Sequence, residues 1–279
     1  MVATPIGNLA DISLRALHVL ALVDAIACED TRHTQVLLRA YGIERNAAQL
    51  IALHQHNEEQ AAAAVIERLR QGQRVAYASD AGTPAISDPG SRLVAAVRAQ
   101  ALRVVPVPGA SSVTAALSVA GVRDADGGQA GAFVFAGFLP ARAGERAAAA
   151  AALAAEQRSV VLLEAPHRIE ALAVSLAPLG QRNLTIGREL TKQFEEIATV
   201  ACQDFPAWLA AQPNRTRGEF ALVLHAAAVA PAAGREEEIL RLLLAELPLK
   251  TAVRLAADIS GASRNVLYEK ALALKQDAA

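Results

Sequence analysis

The stretch Arg74-Val75-Ala76-Tyr77-Ala78-Ser79-Asp80-Ala81-Gly82-Thr83-Pro84-Ala85-Ile86-Ser87-Asp88-Pro89-Gly90-Ser91-Arg92-Leu93-Val94-Ala95-Ala96-Val97 decides the fold. Its apolar start reads as a buried strand and its end, from Ser91, as a helix. The loop between them, Ser79 to Gly90, is long for a strand-to-helix connection and holds two Asp, two Pro and two Gly. Long loops at such positions are often functional. In an open α/β sheet, ligands bind beyond the carboxyl ends of the strands, where this loop lies. The plainer alternative is a rigid surface turn, because Pro and Gly punctuate chains everywhere.

Outward from this unit, strands and helices alternate. Val2-Ala3 is a strand stub, and Asp11 is placed to cap a helix running to about Val23. Ala25 to Cys28 is a second strand, with a helix through Leu37-Leu38 after it. Leu50 to Leu53 is a third strand, and Asn57 caps a helix ending near Gly72. Arg103 to Val107 reads as a fifth strand, and Pro108 to Ser112 opens an Ala-rich helix. Such alternation implies a mostly parallel sheet. The segment 124–131, with three Gly and two Asp, reads as a linker. A second set of elements follows: strands at Phe133-Val134-Phe135, Ser159 to Glu164, Leu184 to Gly187 and Phe220 to Leu224, with a helix over about Glu145 to Ala155. Residues 226–234 form a second linker, and the remainder is helical. The expected organisation is an N-terminal α/β domain over 1–122, a second α/β domain with a mixed sheet over 130–228, and a helical module over 235–279.

Composition narrows the functional classes. The chain has 279 residues, 53% of them hydrophobic and 4% aromatic, which suits an Ala/Val/Leu-packed α/β protein. A formal net charge of -1 gives no global field for nucleic acid, so such a partner requires a local basic patch. Cys28 and Cys202 are far apart and lie in apolar contexts, as expected of buried thiols in a reducing cytoplasm. No apolar run is long enough for a transmembrane helix, and the start lacks the pattern of a signal peptide.

Polar clusters follow the strands: Thr4 to Asn8, Glu29 to Arg32, His54 to Asn57, Glu164 to Arg168 and Arg188 to Lys192. In a parallel sheet the strand ends share one edge, so the clusters of the first half line one crevice. Each has a structural alternative. Gly7 and Asn8 serve a turn. Asp30 and Thr31 serve a helix cap, with Arg32 in solvent. His167 is a surface histidine, and Arg188, Glu189 and Lys192 pair along a helix face. His54 and His56 lack a third ligand at metal spacing, so no metal is expected. A GxGxxG, a Walker A motif, a GxSxG elbow and an HExxH are all absent, which counts against dinucleotide, NTPase, serine-hydrolase and zinc-protease chemistry.

Taken together, TPIGN at 4–8, EDTRHT at 29–34, SDAGTPAISDPG at 79–90, PGASS at 108–112, GFLP at 137–140, EAPHR at 164–168 and RELTK at 188–192 resemble the RsmI family in content and order. These are the 16S ribosomal RNA (cytidine 2′-O) methyltransferases of the small subunit, within the tetrapyrrole-methylase superfamily of class III S-adenosylmethionine-dependent methyltransferases. The resemblance spans about residues 2 to 275. It implies two α/β domains, S-adenosylmethionine in the cleft between them, and a homodimer. It also implies that Gly7, Asn8, Asp80, Gly82, Thr83, Ser111, Ser112, Glu164 and Glu219 contact the cofactor. Glycines allow close backbone approach, and a helix start holds a carboxylate. Glu29, Asp30 and Arg32 are the candidate catalytic cluster, with His54 a further candidate base. His54, His167, Arg168, Arg188 and Lys192 are candidate contacts to ribose or phosphate.

The tail, Leu249 to Ile259, Ser260 to Ser263 and Arg264 to Leu272, reads as a helix-turn-helix that exposes Arg264, Asn265 and Lys270. Its alternative is a small cap packed on the protein or a dimer contact. In one respect the chain departs from the family: several residues normally precede the TPxGN loop, whereas here Met1-Val2-Ala3 alone do so, as a mis-set or a truncated start would give. Two other functions stand beside the rRNA reading. One is a superfamily methyltransferase acting on a tetrapyrrole or a protein side chain. The other is a non-catalytic helix-turn-helix regulator.

Overall fold

A computed structural model describes residues 1–54, 57–123, 132–227, 235–260 and 263–276. His56, the linker expected at 124–131, most of that at 226–234 and the turn residues 261–262 lie outside the described residues. Residues Met1–Ala227 form one compact unit and Ala228–Ala279 another.

In the first unit β1 (Ala25–Cys28) runs parallel to β2 (Leu50–Ala52) and β3 (Val75–Ala78), in the order β2-β1-β3. Every residue of β1 is buried, because helices cover both faces of a parallel sheet. Ile26 and Cys28 pack under α1 (Leu14–Leu22) and α2 (Thr31–Ala40). Ala27 and Tyr77 pack under α3 (Glu58–Arg70) and α4 (Ser91–Ala99).

Local chemistry corrects two sequence expectations. Ser13, not Asp11, caps α1: its hydroxyl accepts from the Ala16 N–H at 3.1 Å, while Asp11 ends a short 3-10 turn over Leu9–Asp11. Ser13→Ala is therefore expected to cost about 1 kcal/mol, read as a fall of roughly 2–4 °C in melting temperature. The expected strand over Arg103 to Val107 is a single parallel bridge, Val2 to Val107. Met1–Ala3 lies beside β3, with the Val2 N–H donating to the Tyr77 carbonyl at 2.8 Å and the Val107 N–H to Met1 at 2.8 Å. Pro106 and Pro108 flank Val107 and have no amide hydrogen, so no longer ladder forms.

The second sheet holds β4 (Phe133–Gly137), β5 (Ser159–Glu164), β6 (Asn183–Arg188), β7 (Glu196–Ala201) and β8 (Phe220–Leu224), in the order β4-β5-β8-β6-β7. β4 and β5 are parallel and the other pairings antiparallel. One face meets α5 (Ser112–Ala120), through Val161, Ala221 and Val223 against Val113 and Ala116. The other face carries Val160, Leu162, Leu184, Ile186 and Leu222. These pack with α6 (Ala143–Ala152), α7 (Ile169–Leu176) and α8 (Phe205–Ala210) around the fully buried Phe205. β7 is an additional strand; as a half-exposed edge of polar and apolar alternation it carries a weak apolar signal. Arg188 ends β6 and Glu189 to Lys192 is a turn, not the helix of the ion-pair alternative, with Glu189 and Thr191 at positive φ.

The second unit packs α9 (Arg235–Glu246), α10 (Leu249–Ser260) and α11 (Arg264–Gln276) around Leu240, Val253, Ala256, Leu267 and Ala271. Among the described residues no helix is long and apolar enough to cross a membrane.

Candidate active site

Strand direction gathers the polar clusters. On the first sheet, Thr4 and Gly82 exchange backbone hydrogen bonds of 2.9 and 3.1 Å, and Thr4 Oγ1 donates to the Ser79 carbonyl at 3.2 Å. The Asp30 N–H donates to Asp80 Oδ1 at 3.2 Å, tying the start of α2 to the loop after β3. On the second sheet, β8 runs against both β5 and β6, so Glu164 and Arg188 both stand opposite Phe220. The end of β5, the end of β6 and the start of β8 therefore share one edge.

A cavity of about 380 Å3 opens where the two sheet edges meet. Gly82, Thr83, Ser87 and Asp88 form its wall from the loop after β3. Ser111 and Ser112 enter at the start of α5, whose N-cap side chain makes no cap hydrogen bond. Glu164, Lys192 and Glu219 come from the second sheet, with apolar surface from Ile6, Phe138, Leu163 and Leu190. An apolar lining with a few convergent polar groups is the usual form of a small-molecule site.

Glu164 is the most informative group. It is 2% exposed. Its Oε1 accepts from the Ala165 N–H at 2.9 Å and lies 3.1 Å from Arg168 Nε. Its Oε2 is buried and has no hydrogen-bond partner in the protein. A buried acceptor left unpaired is costly, and the side chain is 0% exposed, so a ligand donor meets it only if the wall shifts to uncover it. Thr83 Oγ1 donates to the Ala110 carbonyl at 3.0 Å, which fixes the loop against the start of α5. Lys192 Nζ donates to Glu189 Oε1 at 2.8 Å and to Glu219 Oε2 at 3.0 Å.

Carboxylates crowd the edge of the first sheet. Burial, and then the charge of Asp80, push the Glu29 carboxyl above its ordinary range. The Arg32 N–H, donating to Asp30 Oδ1 at 2.8 Å, holds Asp30 below its own. Burial, and then the charge of Glu29, push Asp88 up to about 6, partly offset by the Ser79 hydroxyl.

Of the residues singled out in the sequence, the cavity wall holds Gly82, Thr83, Ser111, Ser112, Glu164, Lys192 and Glu219. Asp80, Glu29, Asp30 and His54 lie at the adjoining edge rather than on the wall. Gly7 packs against Thr191 and Lys192, and Asn8 Oδ1 accepts from the Ala10 N–H at 3.0 Å. Arg32 reaches solvent, its side chain 94% exposed. His167 is exposed, and Arg168 donates to the Leu139 carbonyl. Arg188 is buried, donating to the Phe194 carbonyl at 3.0 Å. In the helical unit, Asn265 is exposed and Arg264 donates to Asp258 at 2.9 Å. Ser87 and Asp88 also stand on the cavity wall, although the sequence pattern did not single them out from the loop. Ala85 and Ser87 adopt positive φ, which turns this segment inward, and nothing in their side chains announces it. Phe138 and Leu190 were not anticipated, since apolar wall residues carry no chemical signature.

Comparison with known proteins gives the following. Residues 1–206 match the sequence model of the Tetrapyrrole (Corrin/Porphyrin) Methylases, and residues 230–275 that of the RsmI C-terminal HTH domain. A protein of Neisseria meningitidis serogroup A named ribosomal RNA small subunit methyltransferase I is 46% identical over 279 residues, covering 99% of this chain and 93% of its own. The protein of that name from Pseudomonas aeruginosa is 46% identical over 282 residues, covering 98% and 95%. Among solved structures, the cobalt precorrin-4 methyltransferase CbiF superposes with a TM-score of 0.57 at 14% identity, covering 80% of this chain and 92% of that one. The uroporphyrin-III C-methyltransferase of Thermus thermophilus, solved in complex with S-adenyl homocysteine, gives 0.51 at 14% identity, covering 80% and 94%.

Proposed function

Because the chain belongs to the ribosomal RNA small subunit methyltransferase I family of the tetrapyrrole methylases, and is an rRNA methyltransferase, we propose that it moves a methyl group from S-adenosylmethionine to the 2′-hydroxyl of a cytidine in 16S rRNA. The observation that carries the site assignment is the convergence of Gly82, Thr83, Ser111, Ser112, Glu164 and Glu219 on one mostly apolar cavity beside the start of α5, with Glu164 Oε2 buried and unpartnered behind the wall. The residues present fit this cofactor. Glu164 accepts from an amine or hydroxyl donor, the Ser111-Ser112 helix start receives a carboxylate, and Ile6, Phe138 and Leu190 cover apolar surface. At Gly82, φ is +79° and a side chain would press on Ile6, so the bare backbone lets a ligand approach closely.

When bound, the cofactor supplies an electrophilic methyl group on a good leaving group. The protein then has to position the acceptor hydroxyl and exclude water, and alignment alone accounts for much of the rate. Arg32, exposed at the start of α2 beside the site, is placed to meet an RNA phosphate. Arg264 and Asn265, exposed at the start of α11, are candidate RNA contacts of the helical unit. We extend the proposal to a cytoplasmic homodimer.

Calorimetric titration with S-adenosylmethionine tests the site. Saturable one-site binding at micromolar cofactor is expected. No heat of binding at millimolar cofactor overturns the enzymatic reading and favours a nucleic-acid-binding regulator.

A further inference from the structure

Transfer to a ribose oxygen must dispose of the hydroxyl proton. On the reading just given, we propose that Asp88 is the residue that takes it.

Three carboxylates line the cavity: Asp88, Glu164 and Glu219. Glu164 lies 3.1 Å from Arg168, and Glu219 lies 3.0 Å from Lys192. Among the described residues Asp88 alone of the three has no cation within ion-pair distance. The nearby Arg92 turns to Glu58 instead, at 3.8 Å. Glu29 and Asp30, the bases suggested by the sequence, stand off the cavity wall, and Asp30 is occupied by the Arg32 N–H.

The loop that presents Asp88 is held in an uncommon conformation. Ala85 and Ser87 have φ of 69° and 63°, and Gly90 has φ of 122°. Non-glycine residues at positive φ are uncommon, and they persist where the surroundings over-determine them, often at functional sites. The surroundings here are specific. The Tyr77 hydroxyl donates to the Pro89 carbonyl at 2.8 Å, and the Gly90 N–H donates to Glu58 Oε1 at 3.0 Å. The groups facing Asp88 are Glu29 from the end of β1, Tyr77 from β3, and Ser79 and Asp80 from the loop. Partial burial, and then the charges of Glu29 and Asp80 with no close cation, make the Asp88 carboxylate a stronger base while leaving it ionised at neutral pH, as proton abstraction requires.

The step balances. The ribose O–H bond breaks and its proton goes to the Asp88 carboxylate. The oxygen's electron pair forms the new O–CH3 bond, and the S–CH3 bond of the sulfonium donor breaks to leave a neutral thioether.

The test is single-turnover methyl transfer to assembled small ribosomal subunits by Asp88→Asn. It is paired with calorimetry for S-adenosylmethionine, thermal melts, and the pH profile of the unaltered protein. Asp88→Asn is expected to transfer about 10²–10⁴-fold more slowly, with unchanged cofactor affinity. It is also expected to melt higher at pH 8, because the amide removes a half-buried charge with no close cation. The unaltered protein's rate should rise with pH to a plateau above about 6, as the carboxylate form fills. Asp88→Glu should recover part of the rate. Transfer by Asp88→Asn at the unaltered rate overturns the proposal, as does loss of cofactor affinity in step with rate or a flat profile from pH 5 to 8. Failure of the unaltered protein to methylate any subunit RNA overturns the rRNA reading itself, a distinct outcome.

Discussion

Glu164→Ala is expected to weaken S-adenosylmethionine binding by about 10- to 100-fold, since a hydrogen bond to a charged group contributes about 1.5–3 kcal/mol and each 1.4 kcal/mol is tenfold. The physical basis is the state of its two oxygens. Oε1 is used within the protein, by the Ala165 N–H and beside Arg168, whereas Oε2 is buried and unpartnered. A ligand donor that uncovers Oε2 finds an acceptor already stripped of water, and truncation removes that interaction. Glu164→Gln keeps the shape and one carbonyl acceptor, so its loss should be smaller. Both variants leave Arg168 its bond to the Leu139 carbonyl, but the alanine variant strips the carboxylate from its buried Nε, so thermal melts accompany the titration. Calorimetry decides the matter: an alanine variant that binds as the unaltered protein does would remove Glu164 from the site.

Gly90→Ala is expected to lower stability by on the order of 3 kcal/mol, from backbone strain and overpacking together, and the melting temperature by roughly 6–12 °C. At φ 122° an L-residue is strained whatever the space. The space is also missing, because an added Cβ would lie 2.7 Å from Tyr77 Cε1. Tyr77 is 2% exposed and pinned through its hydroxyl to Pro89, so its ring has little room to withdraw. Relief by moving the backbone would displace the neighbouring Asp88. Gly42→Ala is the control: φ is +70° there and nothing lies within 4 Å of an added Cβ. Its cost should be about 1–2 kcal/mol, from handedness alone. Equal melting temperatures for the two variants would contradict the packing argument.

Much of this was legible in the sequence, for identifiable reasons. β5 and β8 are unbroken apolar runs, because both faces of the second sheet are covered, and their bounds match the sequence reading. The parallel first sheet followed from strand-helix alternation. The placing of Gly82, Thr83, Ser111, Ser112 and Glu164 at one site was implied by the family resemblance, while the rule that strand ends share an edge accounts for the clusters of the first half. What stayed hidden depends on tertiary context. Arg188 reads as a free cation but is buried, since β6 is paired on both sides and the β6–β7 turn offers its carbonyl. The bridge at Val107 replaces a strand because prolines flank it, a signal that was present and outweighed by the apolar run. The place of Asp88 on the wall stayed hidden because positive φ at Ala85 and Ser87 cannot be read from alanine and serine.

The most direct measurement is transfer of isotopically labelled methyl from S-adenosylmethionine to assembled small ribosomal subunits, with naked RNA in parallel, followed by digestion and localisation of the label. Label on a ribose 2′-oxygen, at a linkage that then resists alkali, is expected. No incorporation, or label on a base at a linkage that alkali still cleaves, would contradict 2′-O transfer.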